Sequence, residues 1–254
     1  AVDASARQAE PMTAFDEPEV RRRARIRLQL AGSYFEQGQT TVALDELKSR
    51  PVKPGQASFF FFDHHFQYNA VKVLPGEYFD YDFICHDAGS FWYHPHTTSA
   101  EQLGRGLVGP LIVEEREPTG FGHERTLSLK TWHIDEQGAF TEFLVPRQAA
   151  REGTRGRLST INGEPNPTLE LPAGQVVRLR LINVDNTVTY RLNLPGGEAR
   201  IYALDGNPVQ PRPLGKEYWL GPGMRIDLAL KVPAAGEELS LRNGPLRLAT
   251  IKSV

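Results

Sequence analysis

The sequence predicts a mainly β chain, a sandwich or barrel of short strands, with a short helical hairpin in front. Three observations carry this. From about residue 56 onward, apolar residues alternate in short runs separated by turn signals at regular spacing. Gly and Pro supply 23 and 19 of the 254 residues, which favours many turns. A helical period is confined to the first fifty residues.

The elements follow in order. Residues 1 to about 17 are polar. From Glu17 to about Ser49, Ala24, Leu28, Ala31 and Phe35 recur at helical spacing, and Pro18 suits a first turn. Gly38 interrupts that pattern before Ala43, Leu44 and Leu47, so two helices joined near Gly38 are expected. Four phenylalanines then run from Phe59 to Phe62, ahead of His64 and His65. Tyr78 to Phe83 alternates, with Phe79, Tyr81 and Phe83 opposite Asp80 and Asp82. Phe91 to His96 reads as extended, and Leu107 to Val113 as a buried strand. Further strands are expected at Thr126 to Trp132, Thr168 to Leu171, Val176 to Ile182, Tyr190 to Leu194, Arg200 to Leu204, Arg225 to Val232 and Glu238 to Arg242. In Val176 to Ile182, Val177, Leu179 and Leu181 face away from Arg178 and Arg180. Turns fall at Asp205-Gly206 and Gly221-Pro222-Gly223, among others.

Composition excludes several classes of function. The formal net charge is −2, which gives no bulk electrostatic case for nucleic acid. Arg21, Arg22, Arg23, Arg25 and Arg27 form a local basic run that reads as a solvated helix face. No apolar run approaches the roughly 20 residues that span a bilayer. The single cysteine, Cys85, excludes an internal disulfide and a Cys-rich metal site. No phosphate loop or nucleophile motif is present; Gly104-Arg105-Gly106 lacks the strand–glycine–helix setting.

The segment that carries chemistry is Phe91-Trp92-Tyr93-His94-Pro95-His96. Residues two apart on an extended chain face the same side, so His94 and His96 point together with Cα atoms about 6.5 Å apart. Two imidazoles so placed suit copper, zinc, iron or nickel. Pro95 has no N–H and belongs at a strand end. Cys85-His86 invites a blue-copper reading, but neither Met12 nor Met224 lies at a suitable spacing for an axial ligand. Cys85 reads instead as a small buried strand residue, His123 and His133 as surface or half-buried residues, and Trp92 and Tyr93 as packing groups.

The run from Asp87 through His96, followed by Glu101-Gln102-Leu103-Gly104-Arg105-Gly106-Leu107-Val108-Gly109-Pro110-Leu111-Ile112-Val113, resembles the multicopper oxidases. So do Leu74-Pro75-Gly76-Glu77, Tyr81-Asp82-Phe83, Ile161-Asn162-Gly163, Arg180-Leu181-Ile182-Asn183, Leu204-Asp205-Gly206 and Pro222-Gly223-Met224-Arg225-Ile226-Asp227. The likeness covers about residues 69 to 254. It implies two cupredoxin-like Greek-key β-sandwich domains, the first incomplete, over residues 51–116 and 117–254, after a tail and hairpin over 1–50. It implies a laccase-type chemistry, in which copper passes electrons from a small reducing substrate to dioxygen, giving water. By the matching motif, His94 and His96 would be type 3 copper ligands. It also implies a periplasmic or otherwise exported protein. Residues 18–48 resemble one tetratricopeptide unit of a type IV pilus assembly lipoprotein, through Leu30, Ala31, Tyr34, Gly38, Ala43 and Leu47.

The sequence departs from the oxidase pattern. Of the family's several His-x-His elements only His94-Pro95-His96 is present, and His64-His65 cannot replace another because adjacent strand residues face opposite ways. The abrupt change near residues 49–68 reads as a junction of unrelated sequences. Three functions follow from these residues. One is a copper-binding oxidoreductase whose remaining ligands come from a further chain or domain. Another is a copper-free cupredoxin scaffold that binds protein in the cell envelope. The last is a helical-repeat adaptor in pilus assembly.

Overall fold

The structure, a computed structural model, describes residues 85–95, 99–151, 153–154 and 156–254. The expected hairpin, the phenylalanine run, His64-His65, the Asp80/Asp82 face, the junction near 49–68 and His96 lie outside the described residues.

The described chain opens with an antiparallel ribbon. Strand β1 (Gly89–Tyr93) pairs with β2 (Gly109–Val113), Gly89 opposite Val113 and Tyr93 opposite Gly109. The short helix α1 (Ser99–Gly104) lies between them in sequence. Eleven further strands make two sheets. The six-stranded sheet has the order β4-β3-β6-β11-β8-β9, from β3 (His123–Trp132), β4 (Leu158–Ile161), β6 (Val176–Asn183), β8 (Glu198–Leu204), β9 (Asn207–Pro213) and β11 (Arg225–Lys231). The five-stranded sheet has the order β10-β7-β12-β13-β5, from β5 (Thr168–Leu171), β7 (Tyr190–Asn193), β10 (Tyr218–Leu220), β12 (Glu238–Asn243) and β13 (Leu246–Ser253). A single turn of helix, α2 (Pro146–Ala149), sits in the β3–β4 connection. Among the described strands, β3–β6 and β13–β5 pair in parallel and the other pairings are antiparallel. The architecture is a β-sandwich of cupredoxin type.

Alternation explains the core. Leu127 and Leu129 of β3, Val177, Leu179 and Leu181 of β6, and Ile226, Leu228 and Leu230 of β11 point inward from the larger sheet. Leu171, Tyr190, Leu192, Leu220, Leu241, Ala249 and Ile251 answer them from the smaller one. Each such side chain contributes roughly 1.5–3 kcal/mol on leaving water. The turn Asp205-Gly206 joins β8 to β9 with φ of 49° and 82°, the paired positive values of a type I′ hairpin.

Several expectations change. β1 spans Gly89–Tyr93, so the histidine motif begins just past the strand, and β2 starts at Gly109 rather than Leu107. Strands β4, β9, β10 and β13 escaped the periodicity. β9 carries Pro208, Pro211 and Pro213 and is tolerated because it is an edge strand. Cys85 is buried as expected but precedes the strand. His133, read as at most half-buried, is fully buried: Nε2 donates to the Thr154 carbonyl at 3.0 Å. The largest change concerns Arg178 and Arg180. They do lie opposite the β6 core residues, yet they are 2% and 1% exposed, because β6 is covered on both faces.

Candidate metal centre

The outer face of the six-stranded sheet is a docking platform for the ribbon. Arg178 and Arg180 of β6 and Asp227 of β11 emerge there side by side. Arg178 Nη2 donates to Asp227 Oδ2 at 2.6 Å and its Nη1 to Glu115 Oε1 at 2.5 Å. Arg180 Nε donates to Glu124 Oε2 at 2.9 Å and its Nη1 to Ser90 Oγ at 3.0 Å. Ser90 in turn donates to Asp227 Oδ1 at 2.7 Å. Three carboxylates surround two guanidiniums, so the buried charge is nearly balanced, as burial demands. Burial alone would raise the Glu115 carboxyl. The hydrogen bond from Arg178 and the charges of Arg178 and Arg180 outweigh it and hold Glu115 below the ordinary value.

Close backbone approach fixes the rest of β1. A Cβ on Gly89 would meet the Gly206 carbonyl oxygen at 2.8 Å, and one on Gly206 would meet the Phe91 ring at 3.2 Å. Gly223, with φ of 75°, lies under Trp92, and a Cβ there would meet Cζ2 at 3.2 Å. Arg225 extends over Phe91 and donates from Nε to the Ser90 carbonyl at 3.0 Å. Trp92 also packs against Leu103, Val108, Ile112, Ile182 and Val184. The segments Leu204-Asp205-Gly206 and Pro222-Gly223-Met224-Arg225-Ile226-Asp227 therefore form the seat of β1.

This seat presents His94. The His94 ring stacks on Trp92 with centroids 4.3 Å apart and planes 23° apart, the same-face relation expected of residues two apart. Its Nδ1 donates to the Pro95 carbonyl at 3.2 Å. With the proton on Nδ1, the lone pair sits on Nε2. A half-buried imidazole with one nitrogen tied to a carbonyl and its ring held by packing has the chemistry of a metal ligand. A single imidazole is a donor of the type copper takes, and alone it does not make a site. Among the described residues, no group of three or more His, Cys, Asp or Glu side chains is gathered to hold a metal. The pairing of His94 with His96 involves a residue outside the described ones.

Cys85 packs with Val113 and Phe91, and burial pushes its thiol up. Met224 Sδ accepts the Gly221 N–H at 3.2 Å, a structural role. His86 and His123 are exposed. Sequence reading missed the ionic seat. The alternation in Val176 to Ile182 placed both arginines on one face, but only a second layer over that face buries them.

Comparison with known proteins agrees with this architecture. A family model described as multicopper oxidase matches residues 62–118. The crystal structure of a multi-copper oxidase from Pseudomonas thermotolerans is 81% identical, with a TM-score of 0.69, over 72% of this chain and 44% of that one. One from Pseudomonas parafulva is 72% identical, with a TM-score of 0.69, over 72% of this chain and 45% of that one. The iron transport multicopper oxidase FET5 of Saccharomyces cerevisiae is 28% identical over 174 residues, 67% of this chain and 27% of the relative. The chain thus spans less than half the length of these relatives. Among the described residues, no helix is long and apolar enough to cross a membrane. The family model over residues 62–118, and 81% identity over 72% of the chain to a solved multi-copper oxidase of which this chain spans less than half, place the chain in the multicopper oxidase family.

Proposed function

We propose that this chain is a partial copper oxidoreductase of laccase type, which contributes His94 and His96 as copper ligands to a centre completed by a further chain or domain. The observation that supports it is the seating of His94: its ring lies on Trp92, Trp92 lies on Gly223, and Nδ1 is tied to the Pro95 carbonyl. Copper, when bound, would relay electrons from a small reducing substrate to dioxygen. The chain's own residues orient the imidazole, fix its tautomer and exclude water from the ionic seat behind it. On this reading residues 51–116 and 117–254 are the two cupredoxin units, and the protein works in the periplasm or outside the cell.

Two imidazoles are too few to close a copper cluster, so weak copper binding and little turnover are expected of this chain alone. Copper per chain, measured by elemental analysis beside an intact mass, tests this. A stoichiometry below three, reduced by His94→Ala and His96→Ala, is expected. Three or more tightly held coppers per chain would overturn it.

A second reading is a copper-free cupredoxin scaffold that binds a protein partner in the cell envelope. It requires that copper leave the melting temperature unchanged. A copper-induced rise that disappears in His94→Ala excludes it.

A further inference from the structure

The chain between β3 and β4 runs from residue 133 to residue 157. Most connections in a compact domain take about 4–6 residues, and much longer ones usually serve a purpose beyond joining. This one is pinned near both ends. His133 Nε2 donates to the Thr154 carbonyl at 3.0 Å, and the Val145 N–H donates to Thr154 Oγ1 at 2.9 Å. The Thr154 N–H donates in turn to Thr187 Oγ1 at 2.8 Å, which ties the connection to the turn after β6. The part in between carries Phe140 and Phe143, with ring centroids 5.4 Å apart. Phe143 also meets the buried His133 ring edge-on at 6.1 Å.

Those two phenylalanines lie against α1. The Phe143 ring sits so close to Gly104 that a Cβ there would overlap it. The Arg105 guanidinium lies 4.9 Å from the centroid of Phe140 and 5.7 Å from that of Phe143. Its Nε donates to Glu101 Oε1 at 3.0 Å. Asn186, in the turn after β6, donates from Nδ2 to the Ala100 carbonyl at 2.6 Å. Leu103 is buried with Val108, Ile112, Ile182 and Val184, the cluster against which Trp92 packs. A helix as short as α1 is not stable by itself, so these contacts decide where it sits. β1 ends at Tyr93 and α1 starts at Ser99, so the stretch that opens with His94 is strung between two anchored elements.

We propose that Asn186 and Phe143 are positioning residues for the His94 imidazole: they anchor α1, and α1 fixes the far end of a segment whose near end is fixed by Trp92 on Gly223. The inference rests on the reading of His94 as a copper ligand. Only residues 94–98 separate the two anchors, so there is little chain to absorb a shift of α1, and the shift reaches the ring. Held at one end alone, the imidazole could swing off Trp92. Held at both, it is oriented before a metal arrives, and less ordering is left to be done on binding. Both residues act through α1.

The test reads the His94 ring protons by NMR in the metal-free full chain, then copper(II) binding by calorimetry. The Trp92 face, 4.3 Å from the His94 ring, shifts those protons upfield, so their position reports the stack. Asn186→Ala and Phe143→Ala are each expected to move the signals toward those of an exposed histidine and to weaken copper(II) binding about tenfold. Phe143→Tyr, which keeps the ring, is expected to retain both readings. Ile251→Val, a core change in the smaller sheet, controls for lost stability and is expected to leave both unchanged. Ring signals unchanged in Asn186→Ala and Phe143→Ala, copper affinity unchanged in both, or equal losses in Ile251→Val overturn the proposal. A natural chain whose His94 signals are untouched by copper(II) overturns instead the reading of His94 as a ligand, and the ring shifts then decide by themselves whether α1 holds the imidazole.

Discussion

Ser90 and Asp227 stand 137 positions apart in the chain and share a 2.7 Å hydrogen bond in the buried interior. Ser90 belongs to the ribbon and Asp227 to the central β11 strand of the sandwich. The same Asp227 holds Arg178, and Ser90 receives Arg180. The ribbon is thereby fixed to the sandwich by a directional polar lock, with apolar contacts of Phe91 and Trp92 around it. Direction matters here: a purely apolar face would let β1 slide, whereas hydrogen bonds with fixed partners allow one register and one position for His94.

Asp227→Asn is expected to destabilise the protein by about 3–5 kcal/mol, because it leaves Arg178 and Arg180 buried with less counter-charge. Ser90→Ala is expected to cost less, about 1–3 kcal/mol, through the unpaired Asp227 Oδ1 and an Arg180 Nη1 left with only its 3.4 Å contact to Asp227 Oδ2. Urea denaturation midpoints check both.

Acid should loosen the same lock. The Glu115 carboxyl is held below its ordinary value of 4.5, so the unfolded chain binds its proton first as pH falls. Its contribution is complete above about pH 4.5 and is lost as pH drops through the folded value. Glu115→Gln is expected to lower stability at neutral pH and to flatten the acid limb of the stability curve, read from denaturation midpoints across that range.

Gly223→Ala is expected to act on the metal segment from a distance. The substitution places a methyl group 3.2 Å from Trp92 at a φ of 75°, at a cost of about 1–2 kcal/mol. Trp92 must move, and the His94 ring moves with it. Copper affinity is expected to fall about tenfold, as when an outer partner of a ligand is disturbed. Calorimetric copper titration beside a tryptophan emission spectrum distinguishes this from a stability loss alone, since a merely destabilised fold would keep the affinity.

Lys130 gives a signature in alkali. Burial lowers its amine from 10.5 to about 8, with the charge of Asp185 opposing the shift. Between these values the unfolded chain holds a proton that the folded chain lacks, so stability rises with pH. The rise is expected from about pH 8 to about pH 10. Above that, Tyr93 and Tyr190, both pushed up by burial, reverse the trend, because the unfolded tyrosines ionise first. Lys130→Met is expected to remove the rise and to be more stable at neutral pH by on the order of 3 kcal/mol. Denaturation midpoints at neutral and mildly alkaline pH decide it.

The inward faces of β3, β6 and β11 were legible in the letters because a strand buried on one side writes a period of two. So were the Asp205-Gly206 turn and the same-side relation of residues two apart, which the Trp92–His94 stack displays. Strand β9 was not legible, since its prolines and exposed surface carry no apolar period. Nor was the burial of His133, which depends on what lies over the end of β3.

The sequence by itself determined a mainly β sandwich, because alternation is a local property of the chain, and it offered His94 and His96 as candidate ligands by residue type. Tertiary structure alone decided that Arg178, Arg180 and Lys130 are interior groups. Their strands look half-exposed when read singly. Arg178 and Arg180 become fully covered only when a ribbon from far away in sequence is laid across them, and a covered charge needs a counter-charge.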